Sequence, residues 1–305
     1  MKPAPDAPAA ARPAGVPPGA PMALPPTRIG TTLFEWGSRT FIMGIVNVTP
    51  DSFSGDGLLA GGAGDPAQAA AAQARRMIED GADIVDVGGE STRPGHEPVS
   101  ARQELDRVLP AIAAIRGTVP EAIISIDTSK IEVAAAGLDA GAVLLNDVWG
   151  TGKDDSMARL AAERQVPLIV MHNRERPEYE DFAAELLADL RVSIERALAL
   201  GVQPQNLLVD PGFGFGKTPE HNLEAMRRLA DLRALGHPVL LGTSRKSTLG
   251  KVLGGAPPEE RLEATLATTA LAVAAGVDVV RVHDVRANYR AARMCDAIVR
   301  GGVPL

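Results

Sequence analysis

The sequence predicts a single-domain α/β fold, a (β/α)8 TIM barrel. The chain has 305 residues, which suits one large domain or two ordinary ones. From residue 41 onward, eight short aliphatic segments alternate with eight Ala-rich amphipathic segments. This alternation predicts right-handed βαβ units around a parallel sheet. Aromatic residues make up 3% of the chain, so the predicted core is aliphatic, as is typical of helices packed on parallel strands. A doubly wound open sheet is the alternative architecture for the same pattern.

Each predicted strand is an aliphatic run that ends in polar residues or glycine, and apolar residues at helical spacing follow it. Asp65 and Pro66 supply the N-cap and the first position of the first helix. Glycine stands where several helices should end, as expected of C-terminal caps. The predicted strands are 41–48, 83–87, 122–126, 143–145, 168–171, 206–209, 239–241 and 279–282, the helices are 66–80, 101–116, 131–140, 156–164, 181–200, 220–235, 259–275 and 286–300, and the glycines are Gly81, Gly141, Gly201, Gly236, Gly276 and Gly301.

The amino-terminal part of the chain differs in composition from the barrel. Residues 1–26 contain nine Pro and eight Ala, too little apolar surface to offset the entropy of ordering, so we predict a disordered extension followed by a barrel domain at 27–305. The prolines interrupt the apolar run that a secretory signal needs. Residues 31–39 are predicted to form a short hairpin that plugs the bottom of the barrel, with Gly37 at its turn.

Charge and cysteine content exclude several classes of protein. The net charge of −7 argues against a nucleic-acid partner, because duplex recognition needs a clustered basic face. No apolar run approaches 18 residues, so no membrane span is predicted. The single cysteine, Cys295, excludes an internal disulfide and fits a reducing, cytoplasmic location.

Polar side chains follow the predicted strands, where a TIM barrel places its active site. Any one strand-end Asp could simply cap a helix or pair with a neighbouring Arg, but polar groups stand at the end of every strand. Carboxylates and amides suit the amino and ring N–H groups of a flat heterocycle, and Arg, His and Asn suit a phosphate or pyrophosphate. The heterocycle group is Asp127, Asn146, Asp210 and Lys246, and the anion group is Asn47, Arg281 and His283.

Seven segments resemble the dihydropteroate synthase family of pterin-binding TIM barrels. They occur in the family's order and cover nearly the whole predicted barrel. The segments are GIVNVTPDSFS (44–54), DVGGESTRPG (86–95), SIDTSK (125–130), NDV (146–148), DPGFGFGK (210–217), SRKS (244–247) and RVHDV (281–285).

The resemblance implies a transferase that joins 6-hydroxymethyl-7,8-dihydropterin pyrophosphate to p-aminobenzoate, giving 7,8-dihydropteroate and pyrophosphate. It further implies Mg²⁺ at Asn47, inhibition by sulfonamides and a homodimer. By this resemblance Asp51, Asp127, Arg281 and His283 are the expected catalytic residues. The implied ligand sets are Asp127, Asn146, Met171, Asp210 and Lys246 for the pterin, Asn47, Thr92, Arg281 and His283 for pyrophosphate, and Phe53, Arg93, Pro94 and Ser244 for p-aminobenzoate.

Some residues depart from the family pattern or stay open. The family often has Met-His-Met-Gln-Gly after the fifth strand, whereas this chain has MHNRERP at 171–177, so the contacts of that loop are open. Lys217 either reaches the mouth of the barrel or faces water. Cys295 is expected to pack in the last helix, and His96 to be solvated.

Two other functions would use a similar barrel. A methyltetrahydrofolate–corrinoid methyltransferase would share the pterin acceptors but has no need of the segments at 47–51 and 244–246. A catalytically silent pterin-binding barrel should have lost loop or anion residues, and those that can be named are present.

Overall fold

The computed structural model describes residues 24–49, 65–90, 98–151 and 154–301. The strands are β1 (Thr27–Ile29), β2 (Thr32–Phe34), β3 (Phe41–Asn47), β4 (Ile84–Gly88), β5 (Ile124–Asp127), β6 (Leu144–Asp147), β7 (Leu168–Met171), β8 (Leu207–Asp210), β9 (Leu240–Leu241) and β10 (Val279–Val282). The main sheet has eight parallel strands, in the order β8-β7-β6-β5-β4-β3-β10-β9. A parallel bridge between Val209 in β8 and Val239 next to β9 joins the two ends of this order. The sheet is therefore closed, which confirms the predicted TIM barrel and rules out the open sheet.

The helices follow the strands as the alternating pattern predicts. Asp65 caps the first helix by accepting a hydrogen bond from the backbone N–H of Ala67, with Pro66 at the first position. All six predicted cap glycines have positive φ. The helices are α1 (Pro66–Glu79), α2 (Ala101–Thr118), α3 (Ile131–Asp139), α4 (Ser156–Arg164), α5 (Phe182–Ala199), α6 (Pro219–Arg227), α7 (Ser247–Val252), α8 (Leu262–Ala274) and α9 (Val285–Val299).

Two predicted helices are interrupted in the structure. The helix predicted at 220–235 divides into α6 and a 3₁₀ segment, Leu229–Leu235, and a tightened last turn is a common way for a helix to end. The helix predicted at 259–275 begins as the 3₁₀ turn Pro258–Glu260 before α8. The short helix α7 and the 3₁₀ turn Pro204–Asn206 were not predicted.

An aromatic plug, formed by residues 27–36 together with Phe41, closes the amino end of the barrel. Here the predicted hairpin was wrong in its position: β1 and β2 pair antiparallel around a turn at Gly30, where φ is +59°, and Gly37 lies after the second strand. The ring centroids of Phe34 and Phe41 are 4.7 Å apart, and those of Trp36 and Phe41 are 5.4 Å apart. The plug packs on the apolar inward-facing side chains Met43, Ile84, Ile123, Leu144, Ile169, Leu208, Leu240 and Val279.

The prediction for the amino-terminal extension concerns mainly residues 1–23, which lie outside the described residues. Leu24, within the segment predicted to be disordered, is partly buried against the plug. In the described part of the chain, no helix combines the length and apolar composition needed to span a membrane.

Candidate active site

The candidate site lies at the carboxyl ends of the barrel strands, here called the mouth. Side chains alternate inward and outward along each strand, and the inward positions change from apolar at the plug to polar at the mouth. Five of the predicted site residues, Asp51, Phe53, Thr92, Arg93 and Pro94, lie outside the described residues. The structure places most of the others at strand ends or directly after them, and Ser244 and Lys246 in the segment between β9 and α7: Asn47, Asp127, Asn146, Met171, Asp210, Ser244, Lys246, Arg281 and His283.

A buried ion-pair network crosses the centre of the mouth. Arg281 places its Nε 2.6 Å from Asp86 Oδ2 and its Nη2 2.5 Å from Asp127 Oδ2. The side-chain amide of Asn146 donates to the same Asp86 oxygen at 2.9 Å. One fully buried carboxylate therefore orients both an amide assigned to the heterocycle and a guanidinium assigned to the pyrophosphate group.

The charges in this network strongly influence one another. Burial alone would lower the pKa of Arg281, but the carboxylates of Asp86 and Asp127 raise it above its usual range, so the guanidinium stays charged. Burial raises the pKa of Asp127 to about 7, although Arg281 opposes the shift. Asp127 therefore changes its protonation near neutral pH, which is typical of carboxyl groups at functional sites.

A second polar pair lies on β8 and the segment after β9. Asp210 Oδ1 accepts a hydrogen bond of 2.7 Å from the backbone N–H of Gly212, and burial raises the pKa of this carboxyl. Lys246 donates to the carbonyl of Phe213 and lies 4.5 Å above the ring of Phe215. Burial lowers the pKa of Lys246 to about 8, an effect that Asp210 opposes.

The backbone before Lys246 adopts an unusual conformation. Arg245 has a φ of +57°, a left-handed conformation that is uncommon for a side chain of this size. Its guanidinium contacts Asp284 at 3.0 and 2.7 Å, and Arg261 donates to its carbonyl at 2.7 Å. These contacts stabilise the strained turn that directs the next residue into the mouth.

His283 and Ser244 meet at the edge of the mouth. The Ser244 hydroxyl lies 3.1 Å from the backbone nitrogen of His283 and 3.0 Å from its ring Nδ1. Ser244 is buried, and both contacts of its hydroxyl described here are with His283. Its predicted role in lining the p-aminobenzoate pocket stays a prediction. Asn47 ends β3, half-buried.

Sequence reasoning did not assign roles to Asp86 and Lys217. A charged residue in the middle of the aliphatic run of β4 was a signal for Asp86, because an inward carboxylate needs a partner. Lys217 does not extend into water: its ammonium is turned inward and lies 2.8 Å from Nδ1 of His172. Cys295 is partly buried against the core, as expected, and His96 lies outside the described residues.

Comparisons with known proteins agree with this geometry. The model of the family "Pterin binding enzyme" matches residues 43–283. The chain is 50% identical over 274 residues to the dihydropteroate synthase of Clostridium beijerinckii, covering 90% of this chain and 99% of that protein. Among solved structures, Xanthomonas albilineans dihydropteroate synthase with 4-aminobenzoic acid is similar with a TM-score of 0.85 and 38% identity, over 92% of this chain and all of that one. The Yersinia pestis dihydropteroate synthase in a sulfonamide drug complex is similar with a TM-score of 0.82 and 35% identity, over 91% of this chain and all of that one.

The fold and the mouth thus define a pterin-binding enzyme. Within that class the chain belongs to the dihydropteroate synthase family, whose activity is that of a transferase in folate biosynthesis.

Proposed function

We propose that the mouth binds 6-hydroxymethyl-7,8-dihydropterin pyrophosphate beside p-aminobenzoate and joins them into 7,8-dihydropteroate. The observation that carries the proposal is the network of Asp86, Asp127, Asn146 and Arg281. This network places hydrogen-bond acceptors for a heterocycle next to a cation for its leaving group. At 50% identity over 90% of the chain, the synthase activity is favoured over a corrinoid methyltransferase or a silent barrel.

The pterin occupies the inner part of the mouth. Because Asn146 uses its amide nitrogen on Asp86, its oxygen is the group that accepts from a ring or amino N–H of the pterin. Asp127 and Asp210 accept further N–H groups in the fork geometry familiar from arginine–carboxylate pairs. Lys246 donates to a ring carbonyl or nitrogen, and the buried thioether of Met171 packs on the face of the ring.

The pyrophosphate binds at the rim, to Arg281, His283 and Asn47, together with Thr92. The two carboxylates engage Nε and Nη2 of Arg281, which leaves Nη1 for a phosphate oxygen. His283, held by Ser244, adds a donor through its other ring nitrogen. These groups neutralise negative charge as it develops on the leaving group.

Magnesium fits these residues as an ion that oxygen atoms of the protein and of the substrate would bind together. Mg²⁺ prefers oxygen ligands and commonly takes one or two from the protein and others from phosphates, and the amide oxygen of Asn47 would be such a ligand. Among the described residues no group of three or more His, Cys, Asp or Glu is arranged to hold a metal. When bound, the ion would neutralise pyrophosphate charge, with Asn47 holding it.

The reaction breaks the bond between the methylene carbon of the pterin and the pyrophosphate oxygen, and forms a bond from that carbon to the amine nitrogen. The electron pair of the broken bond leaves with pyrophosphate, and the amine nitrogen then loses one proton. Departure before attack leaves a cation conjugated with the pterin ring, which ionised Asp127 stabilises together with Asp51. An aromatic amine is nucleophilic while neutral, so the site needs no strong base.

The p-aminobenzoate pocket is assigned to Phe53, Arg93, Pro94 and Ser244. The Xanthomonas albilineans relative holds 4-aminobenzoic acid and the Yersinia pestis relative a sulfonamide drug, which supports p-aminobenzoate as second substrate and sulfonamides as competing ligands here. The proposed location is the cytoplasm, because a chain with a single cysteine fits a reducing compartment.

A homodimer is the proposed assembly. Helices α8 and α9 pack on each other and expose four large apolar side chains, Leu271 at 60%, Met294 at 62%, Ile298 at 70% and Val299 at 51%. Neighbouring exposed apolar residues are typical of an interaction surface. A second copy of the chain is the occupant we propose, and light scattering of wild-type protein against Ile298→Glu tests it.

A pyrophosphate-release assay tests the proposed activity. With the dihydropterin pyrophosphate as substrate, we expect release that depends on p-aminobenzoate and yields one dihydropteroate per pyrophosphate. Asp210→Asn serves as the control for contaminating phosphatase. Release at the same rate without p-aminobenzoate, or no release by folded wild-type protein with both substrates, would contradict the proposal.

A further inference from the structure

Lys217 makes a complete set of contacts outside the residues assigned to substrate. Its Nζ lies 2.8 Å from His172 Nδ1, 3.0 Å from the carbonyl oxygen of Phe215 and 3.3 Å from the carbonyl oxygen of His172. An ammonium group has three N–H donors, and the site offers three acceptors. The contacts join residues 211–217, here called the β8 turn, to the end of β7.

The acceptor role of His172 is set by a second layer of contacts. The imidazole Nε2 lies 3.1 Å from Asp189 Oδ2, so it carries the proton and leaves Nδ1 as acceptor. Burial, followed by the charge of Lys217, lowers the pKa of His172 to about 4, which keeps the ring neutral. Asp189 is fixed in turn by Arg174, whose Nε lies 2.8 Å from the same carboxylate oxygen.

The loop after β7 holds the β8 turn at further points. The hydroxyl of Tyr179 donates to the carbonyl of Gly216 at 2.7 Å, and the Arg174 guanidinium lies 4.4 Å above the Tyr179 ring. A Cβ on Gly212 would overlap the carbonyl oxygen of His172, and a Cβ on Gly216 would overlap the backbone of Arg174. The two backbones are therefore in direct contact, and glycine is needed at both positions.

The β8 turn also supports two residues of the proposed pterin site. Its Gly212 N–H donates to Asp210, and its Phe213 carbonyl accepts from Lys246. A displacement of the turn would therefore change the orientation of both side chains at once.

We propose that Lys217 is a positioning residue for pterin binding, which fixes the β8 turn against His172 and thereby orients Asp210 and Lys246. The inference rests on the proposed function and gives the divergent loop after β7 a role in the site. The groups around the ammonium are His172, Asp189 and Arg174 on the β7 side and Asp210 and Lys246 on the other. Burial lowers the pKa of Lys217 to about 7, with Asp210 opposing this shift and Lys246 adding to it.

A pair of substitutions separates positioning from general stabilisation. Lys217→Met keeps the length of the side chain and removes its donors, and Lys251→Met makes the same change on an exposed lysine of α7. We expect Lys217→Met to raise the Kd for the dihydropterin pyrophosphate about tenfold or more, because buried acceptors lose their donor. The KM for p-aminobenzoate should change less than about twofold. Lys217→Arg should recover most of the affinity, because it restores a charged donor.

The outcomes are decisive for the inference. A wild-type Kd in folded Lys217→Met, or an equal effect in Lys251→Met, would overturn it. If Lys217→Met does not fold, Tyr179→Phe replaces it: weaker pterin binding supports the proposal, and unchanged binding overturns it. Wild-type protein that binds the pterin but forms no dihydropteroate would instead contradict the proposed function alone.

Discussion

The two ends of the barrel interior are built from opposite chemistry. At the amino end the inward side chains are aliphatic, and Phe34, Trp36 and Phe41 close the barrel with tilted ring contacts. At the carboxyl end the same strands present Asp86, Asn146 and Arg281. Burial of apolar area stabilises the fold at about 25 cal/mol per Å², whereas burial of charge opposes folding unless the charges are paired. The plug end therefore contributes stability, and the mouth holds the polar groups that we propose bind the ligand.

The largest expected effect on stability is at the plug. Phe34→Ala should lower the free energy of unfolding by about 3–5 kcal/mol, because it removes a fully buried ring from a close-packed cluster. Thermal unfolding should show a decrease in Tm of roughly 6–15 °C. Below the transition, the Kd for the dihydropterin pyrophosphate should match wild type. A large loss of pterin affinity in folded Phe34→Ala would show that the two ends are coupled.

A smaller but more specific effect is expected at Asp86. Asp86→Asn removes the charge that Arg281 and Asn146 share, and the loss of a buried charged acceptor costs about 1–3 kcal/mol. The kcat/KM for the pterin substrate should decrease about 10–100-fold.

The matched control for Asp86 is Asp83→Asn. Asp83 pairs with Arg39 at 2.5 Å near the plug, so its loss should lower Tm and leave KM unchanged. Equal kinetic effects of the two substitutions would contradict the division between the two ends.

The pH dependence of Asp127 should have opposite signs for stability and for binding. Its pKa is about 7 in the folded protein, above the usual 3.8, so the folded state binds more protons than the unfolded state between these values. The contribution to stability is therefore present at acid pH and is lost as pH rises through about 7. The proposed contact with the pterin needs the carboxylate, so pterin binding should weaken about tenfold per pH unit below 7.

Calorimetric titrations between about pH 5.5 and 8 compare wild type with Asp127→Asn using the same ligand. The variant should lose the part of the pH dependence that belongs to this carboxyl. Parallel pH profiles for the two proteins would assign the titration to another group.

The smallest effect is expected at Ser244. Ser244→Ala removes two hydrogen bonds to His283, one to its backbone N–H and one to its ring, each worth about 0.5–1.5 kcal/mol. If Ser244 orients His283, kcat should decrease a few-fold with KM for p-aminobenzoate unchanged. If Ser244 lines the second substrate pocket, as the sequence resemblance implies, that KM should rise instead. Steady-state kinetics with varied p-aminobenzoate distinguishes these roles.

Most of the fold could be predicted because strand and helix periods are local properties of the sequence. The run 168–171 is predicted and observed with the same bounds, and Asp65-Pro66 begins its helix as expected. The hairpin was misplaced because Gly30 and Gly37 are both suitable turn residues, and pairing of Ile29 with Thr32 is decided by packing of Phe34 on the barrel.

The candidate site was less predictable than the fold. Strand-end residues such as Asp127 and Asp210 could be assigned to the mouth from topology alone. That Asn146 and Arg281 share Asp86 could not be predicted. The two residues lie 60 and 195 positions from Asp86 in the sequence and meet it only inside the closed barrel. Lys217 remained open for the same reason, since its acceptor His172 follows β7 whereas Lys217 follows β8.

The most direct test of the proposed role of the mouth is calorimetric titration of the dihydropterin pyrophosphate into Asp210→Asn. This substitution keeps the shape of a buried side chain at the end of β8 and removes its charge. The proposed pterin site predicts at least about tenfold weaker binding, with far-UV circular dichroism and Tm close to wild type. Wild-type affinity in the folded variant would contradict the assignment of the mouth as the pterin site.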